Sequence, residues 1–146
     1  MEPLQTMLEH KGRDIHAVEV TATVLQAADK MSRTHVGALL VMDDDRLAGI
    51  FSERDLMTRV VMARKDPAKT RVEEVMTPGV VSVRLETTPR EAMSIMTRRR
   101  VRHLPVVSGT RIVGVISIGD LVRATLDERD HEISELHDYV TGRYPG

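Results

Sequence analysis

The sequence predicts an α+β fold: two β-α-β-β-α units, each with α/β-like character, related by a pseudo-twofold axis and packed sheet to sheet. Three observations predict it. Sliding the chain against itself by 65 positions aligns residues 15–60 with 80–125 without a gap, and 13 of the 46 pairs are identical. Each copy alternates short apolar runs with stretches of helical periodicity. Finally, a copy of about 60 residues is too small to hide a sheet face alone, and two related copies facing each other solve this.

The elements follow in order. The first strand of each copy covers 15–20 or 80–85, and a helix opens at Thr23 or Thr88. Thr23-x-x-Gln26 and Thr88-x-x-Glu91 are capping boxes, and Pro89 occupies the first helical position, where a missing N–H does no harm. Val24, Ala27, Ala28 and Met31 recur on one face of the first helix. Two strands come next, 38–42 and 47–51 joined by Asp43-Asp44-Asp45, and 103–107 and 112–116 joined by Ser108-Gly109-Thr110. A second helix starts at Ser52 or Ser117 and is expected to bury Leu56, Met57, Val60 and Val61, or Leu121, Val122 and Leu126.

The organisation along the chain is then a first repeat at 7–64, a linker at 65–73, a second repeat at 74–128 and a helical extension at 129–146. Segments 4–10 and 72–76 read as short helices leading into the first and second copy respectively. In the extension Leu126, Ile133 and Val140 recur every seven residues with Leu136 beside them, a stripe suited to covering a core or a dimer seam.

Composition narrows the function. With 21 basic and 22 acidic residues the net charge is −1, which gives no electrostatic reason to expect nucleic acid. Cysteine is absent, so disulfides, thiolate catalysis and cysteine metal sites are excluded. The six histidines lack metalloprotease spacing, and no metal is expected. Aromatic residues are scarce, so Val, Leu, Ile and Met must fill the core. The start of the sequence has no basic, then apolar, leader pattern, and the longest apolar stretch falls short of the roughly 20 residues a membrane helix needs. A cytoplasmic protein without membrane contact is expected.

Both copies carry Gly-x-x-Ser-x-x-Asp where the last strand meets the second helix, from Gly49 to Asp55 and from Gly114 to Asp120. One reading is local: the serine caps the helix by accepting from a first-turn N–H. The other is functional. The motif recurs at matched positions at the carboxyl ends of strands, where ligands favour binding and unpaired helix N–H groups attract anions. A serine hydroxyl there can bind phosphate, and a carboxylate can accept from both hydroxyls of a ribose. No Gly-x-Ser-x-Gly turn and no glycine-rich phosphate loop accompanies it, so no enzyme activity, catalytic residue or catalytic cofactor is expected. The basic run from Arg98 to His103 reads as a solvated helix end or a phosphate clamp; without an interleaved aromatic it lacks a stacking platform for single-stranded nucleic acid.

Taken with Glu74-Val75-Met76-Thr77-Pro78 and Val101-Arg102-His103-Leu104-Pro105-Val106-Val107, the two turns make the chain resemble a tandem cystathionine-β-synthase (CBS) domain pair, or Bateman module, of the small stand-alone bacterial type. The resemblance covers roughly 7–128. It implies a non-catalytic regulatory module that binds AMP, ADP, ATP or NAD(H) in clefts between the repeats, forms a homodimer and acts on an effector protein. A sensor of S-adenosylmethionine, or a structural interaction module without ligand, are the alternatives.

The resemblance also implies roles. Asp55 and Asp120 hold ribose hydroxyls, with Ser52 and Ser117 near ribose or phosphate. Adenine lies against His16-Ala17 and Val81-Ser82, whose backbone groups read its edge, and Val36 or Val101 forms an aliphatic wall. Thr77 supplies a hydroxyl, whereas its counterpart Gly12 has none. Arg102 and His103 clamp phosphate in the Asp55 cleft. Their counterparts Gly37 and Ala38 carry no charge, so the Asp120 cleft needs another cation, Arg54, and the two clefts are expected to differ in affinity.

Overall fold

Helix α1 (Leu4–Lys11) precedes strand β1 (Ala17–Glu19), helix α2 (Val24–Thr34) and the hairpin of β2 (Ala38–Asp43) and β3 (Arg46–Ser52). A single turn, α3 (Glu53–Asp55), runs into a π-helical segment (Leu56–Val61), and α4 (Val72–Val75) leads to β4 (Thr77–Pro78). The second copy repeats the order with β5 (Val83–Arg84), α5 (Pro89–Arg99), β6 (His103–Ser108) and β7 (Arg111–Ser117), followed by α6 over 118–127. This computed structural model describes residues 3–11, 15–127 and 129. Its two sheets run β1-β2-β3-β4 and β5-β6-β7, and in each the first pair is parallel and the others antiparallel. The α+β class and the doubled unit are as the sequence predicts. The stripe at Ile133, Leu136 and Val140, like Gly12, lies outside the described residues.

Local chemistry accounts for the elements. Thr23 Oγ1 accepts from the Gln26 N–H at 3.1 Å while Gln26 Oε1 accepts from the Thr23 N–H at 2.9 Å, which completes the capping box. Thr88 Oγ1 likewise accepts from the Glu91 N–H at 3.2 Å, with Pro89 at the helix start. The duplication persists in the backbone where the residues have diverged. His35 and Arg100 close α2 and α5 at φ 57° and 55°, and Asp44 and Gly109 turn the hairpins at φ 56° and 63°. Matching bulges fall between Val41 and Met42 and between Val106 and Val107. Strand β5 is much shorter than the predicted 80–85. Thr87 turns the chain there, its Oγ1 accepting from the Arg84 N–H and its own N–H donating to the Arg84 carbonyl, both at 3.1 Å.

The chain divides into two compact units. One holds β1 to β4 with α2, α3 and α4 around Val24, Leu39, Phe51, Val60 and Val72. The other holds α1 together with β5 to β7, α5 and α6 around Leu4, Leu8, Leu104, Ile116 and Leu121. The short leading helices therefore cross over: α1 completes the core of the second repeat and α4 that of the first, the reverse of the sequential order expected for 4–10 and 72–76. Both dock through first-turn N–H groups that have no partner within their helix. Leu4 and Gln5 donate to the carbonyls of Thr87 and Leu85 at 2.9 and 3.1 Å, and Val72 and Glu73 donate to those of Ala22 and Val20 at 2.8 and 3.3 Å. Beneath the docked segments lie Gly114 and Gly49. A Cβ on Gly114 would stand 2.7 Å from Leu8 Cδ2, and one on Gly49 would stand 2.6 Å from the Thr77 carbonyl oxygen and 2.8 Å from Met76 Sδ.

The second helices bury less than expected. Val60 and Leu121 are fully buried, but Met57, Val61, Val122 and Leu126 are 56%, 62%, 46% and 50% exposed. Met57 matches Val122 and Val61 matches Leu126 in the repeat, so both units leave the same apolar face bare. Among the described residues, no helix is long and apolar enough to cross a membrane.

Candidate functional site

Strands β3 and β7 each end on a serine that turns the chain directly into a helix. Ser52 is the N-cap, with extended backbone at φ −116° and ψ 168°. Its Oγ accepts from the Asp55 N–H at 3.2 Å, while Asp55 Oδ2 accepts from the Ser52 N–H at 3.0 Å and from the Ser52 hydroxyl at 3.1 Å. In the second repeat the Asp120 N–H donates to Ser117 Oγ at 3.1 Å and Asp120 Oδ2 accepts from the Ser117 N–H at 2.8 Å. The local capping reading is therefore met in both turns. The two carboxylates are buried, at 6% and 8% exposure.

This geometry narrows one expectation. The first N–H of each helix is not left for an anion: Glu53 donates to the Gly37 carbonyl at 3.0 Å and Ile118 to the Arg102 carbonyl at 2.8 Å. The next-but-one donors are held by the serines. Glu53 and Ile118 find these acceptors because the residues before β2 and β6 run past the helix starts with a carbonyl to spare.

The other carboxylate oxygens are held differently. Asp55 Oδ1 accepts from Thr77 Oγ1 at 3.0 Å. Thr77 reaches it because β4 pairs antiparallel with β3, with Thr77 opposite Ile50. Arg59 Nε lies 3.6 Å from the same oxygen, and Arg59 Nη1 donates to the Met76 carbonyl at 2.8 Å. Asp120 Oδ1 accepts from Arg123 Nη2 at 2.8 Å. Sequence reasoning missed both arginines because they are not repeat equivalents; they match Ala124 and Thr58. Their spacing from the aspartates, four and three residues along a helix, was the available signal.

The remaining sequence-predicted residues fall as follows. The His16 carbonyl accepts from the Leu40 N–H at 3.0 Å, and Ala17 stands opposite Leu40 in the parallel pair. Successive peptide groups of an edge strand alternate in direction, so the Ala17 carbonyl faces away from β2, and there the Lys30 ammonium donates to it. Val81 and Ser82 precede β5 outside any strand. Val36 and Val101 are half-buried and pack against their own cores. Arg54 is exposed beside Asp55 in α3, and Arg102 is exposed before β6. His103 opens β6 directly opposite Ser117. The structure thus gathers Ser52, Asp55 and Thr77 in one unit, and gathers His103, Ser117 and Asp120 in the other.

The family model for the CBS domain matches residues 11–62 and 72–127. The chain belongs to the CBS-domain family. The mitochondrial CBS domain-containing protein CBSX3 of Arabidopsis thaliana is 36% identical over 127 residues, covering 84% of this chain and 62% of that protein. This CBS chain therefore spans less than two thirds of the Arabidopsis relative. A protein with CBS domains from Burkholderia ambifaria, described as a candidate signal-transduction protein, has a similar structure at TM-score 0.83 and 40% identity, with 86% of this chain and 94% of that one covered. A CBS-domain containing protein from Agrobacterium tumefaciens matches at TM-score 0.80 and 36% identity over 84% and 98% of the two chains. The CBS matches follow the sequence repeats rather than the compact units. The second begins at residue 72, so α4 belongs to the second CBS domain by sequence and to the first unit by packing.

Proposed function

We propose that this CBS pair is a non-catalytic regulatory module that senses an adenine nucleotide, AMP, ADP, ATP or NAD(H), at its strand-to-helix turns and relays occupancy to an effector protein. The unequal use of the two oxygens of Asp55 carries this reading. Oδ2 is tied to its own helix cap, which fixes the carboxylate in advance of any ligand, whereas the partners of Oδ1 are side chains, Thr77 and Arg59. Side-chain donors can yield to the adjacent hydroxyls of a ribose; a backbone cap cannot yield without unwinding the helix. Asp120 supports the same reading, with Oδ2 in a cap and Oδ1 on the Arg123 side chain.

Arg54, Arg102 and His103 remain the proposed cations for phosphate, and Ser52 and Ser117 take part by setting the carboxylates. A ligand that takes Oδ1 from Thr77 and Arg59 releases the β4 segment from the helix start, and it shifts the arrangement only as far as it prefers the released form. The bare faces at Met57 and Val61 and at Val122 and Leu126 fit a cytoplasmic homodimer.

One observation favours a second reading. Both oxygens of Asp55 already have partners without any ligand, which suits a structural interaction module. Thermal-shift measurements with AMP, ATP, NAD and S-adenosylmethionine decide. A ligand at 100 times its dissociation constant adds about 2.7 kcal/mol of stability. A shift with an adenine nucleotide that Asp55→Ala or Asp120→Ala abolishes supports the sensor. A shift with S-adenosylmethionine alone changes the ligand, and no shift with any of the four leaves the structural module.

A further inference from the structure

The two repeats part company at one matched pair with opposite chemistry, Lys30 in α2 and Ile95 in α5. Lys30 is half-buried and its ammonium donates to the Ala17 carbonyl, the group that β1 turns away from β2. The turn of helix carrying it is braced, since Thr34 Oγ1 donates to the Lys30 carbonyl at 2.7 Å. Ile95 instead packs against the apolar core of its own unit, and a hydrocarbon has nothing to offer the matched carbonyl of Ser82.

We infer that Lys30 is a specificity-determining residue that turns the first repeat toward a 6-oxopurine nucleotide, of guanosine or inosine type, and leaves the second repeat to a 6-aminopurine. The inference rests on the proposed function, keeping its nucleotide sites at the two turns while revising the base at the first, and on the resemblance, which implies that the purine edge lies against His16-Ala17 or Val81-Ser82. A 6-amino group is a hydrogen-bond donor and needs an acceptor. At Ala17 one lone pair of that acceptor is taken by a cation, whose remaining N–H groups meet the amino group donor to donor. A 6-oxo group is an acceptor, and an ammonium has three N–H groups, of which Ala17 uses one. At Ser82 the matched helix position holds Ile95, so no ammonium competes with an amino group for that carbonyl. Burying the wrong partner on either side leaves a polar group unpaired, which is how a hydrogen-bonding site discriminates strongly.

Calorimetric titration of the full chain with AMP and with GMP tests this. Asp120→Ala silences the second turn, so that the first is read alone. In that protein GMP binds more tightly than AMP, and adding Lys30→Ile moves the GMP-to-AMP affinity ratio toward AMP by roughly tenfold or more, the value of one charge-assisted hydrogen bond. Lys30→Met, which keeps the length of the stem, runs in parallel, with a thermal melt of each variant, so that a folding defect in one leaves the comparison intact. An AMP preference before Lys30 is changed overturns the inference, as does a ratio that moves by less than about twofold in folded variants. If the unaltered chain binds neither AMP nor GMP and its melting also fails to shift with ATP or NAD, the proposed function falls as well, which separates the two failures.

Discussion

Thr77 Oγ1 donates to Asp55 Oδ1 at 3.0 Å across 22 positions of sequence. The bond ties a two-residue strand to the first turn of a helix and supplies a donor to a carboxylate that is 6% exposed. A buried carboxylate is tolerable only when such donors surround it. Ser52, Thr77 and Arg59 together provide them, and of the three only Thr77 is distant in sequence.

Removing the acceptor therefore strands several donors at once. Asp55→Ala is expected to lower unfolding stability by about 1–3 kcal/mol, because the Ser52 N–H and the Thr77 hydroxyl lose their partner. Combined with Thr77→Val in a double-mutant cycle, it should show a coupling of at least about 0.5 kcal/mol in urea unfolding. Strict additivity would remove the Thr77 contact from the stability of the turn.

The two matched glycines should respond unequally to a methyl group. On Gly49 the added Cβ meets a backbone oxygen at 2.6 Å, and on Gly114 it meets the end of a leucine side chain at 2.7 Å. Gly49→Ala is expected to cost about 1–3 kcal/mol, whereas Gly114→Ala costs less because Leu8 can change rotamer. Denaturant midpoints with unchanged slopes check the order, and equal losses would contradict it.

Leu8→Ala tests the crossing of the leading helices. Leu8 is fully buried in the core that also contains Leu104, Ile116 and Leu121, so its truncation should cost about 2–5 kcal/mol. The loss should appear in hydrogen exchange as faster opening of β6 and β7, with β2 and β3 less affected. Faster exchange confined to β2 and β3 would place α1 on the wrong repeat.

The bare helical faces make a prediction about assembly. Val61 is 62% exposed and Leu126, its repeat equivalent, is 50% exposed. If a second copy covers them, Val61→Glu with Leu126→Glu converts a dimer to a monomer in analytical ultracentrifugation while the melting curve stays cooperative, since each charge would lose its water in the dimer. A monomeric parent protein refutes the dimer outright.

Much of the fold was legible because its signals are local. Thr23 and Thr88 mark helix starts through their hydroxyls, and the hairpin turns at Asp44 and Gly109 follow from residues that tolerate positive φ. The Ser-x-x-Asp turns were legible both as caps and as a candidate site. What the pattern could not carry was partnership at a distance. The apolar residues of a short helix such as α4 suit either of two related cores, and periodicity does not choose between them. Arg59, Arg123 and Lys30 escaped notice for a related reason. The repeat draws attention to what is shared, and these three stand at positions where the copies disagree.

The seating of Leu8 over Gly114 and of Met76 over Gly49 has a consequence for inheritance. A hybrid gene made with one crossover between the repeats would always join α1 from one parent to β7 from the other. Exchanging a whole unit takes two crossovers, one between α1 and β1 and one just ahead of β5. Shuffling by halves, the simplest recombination a duplicated gene invites, is the one this packing penalises.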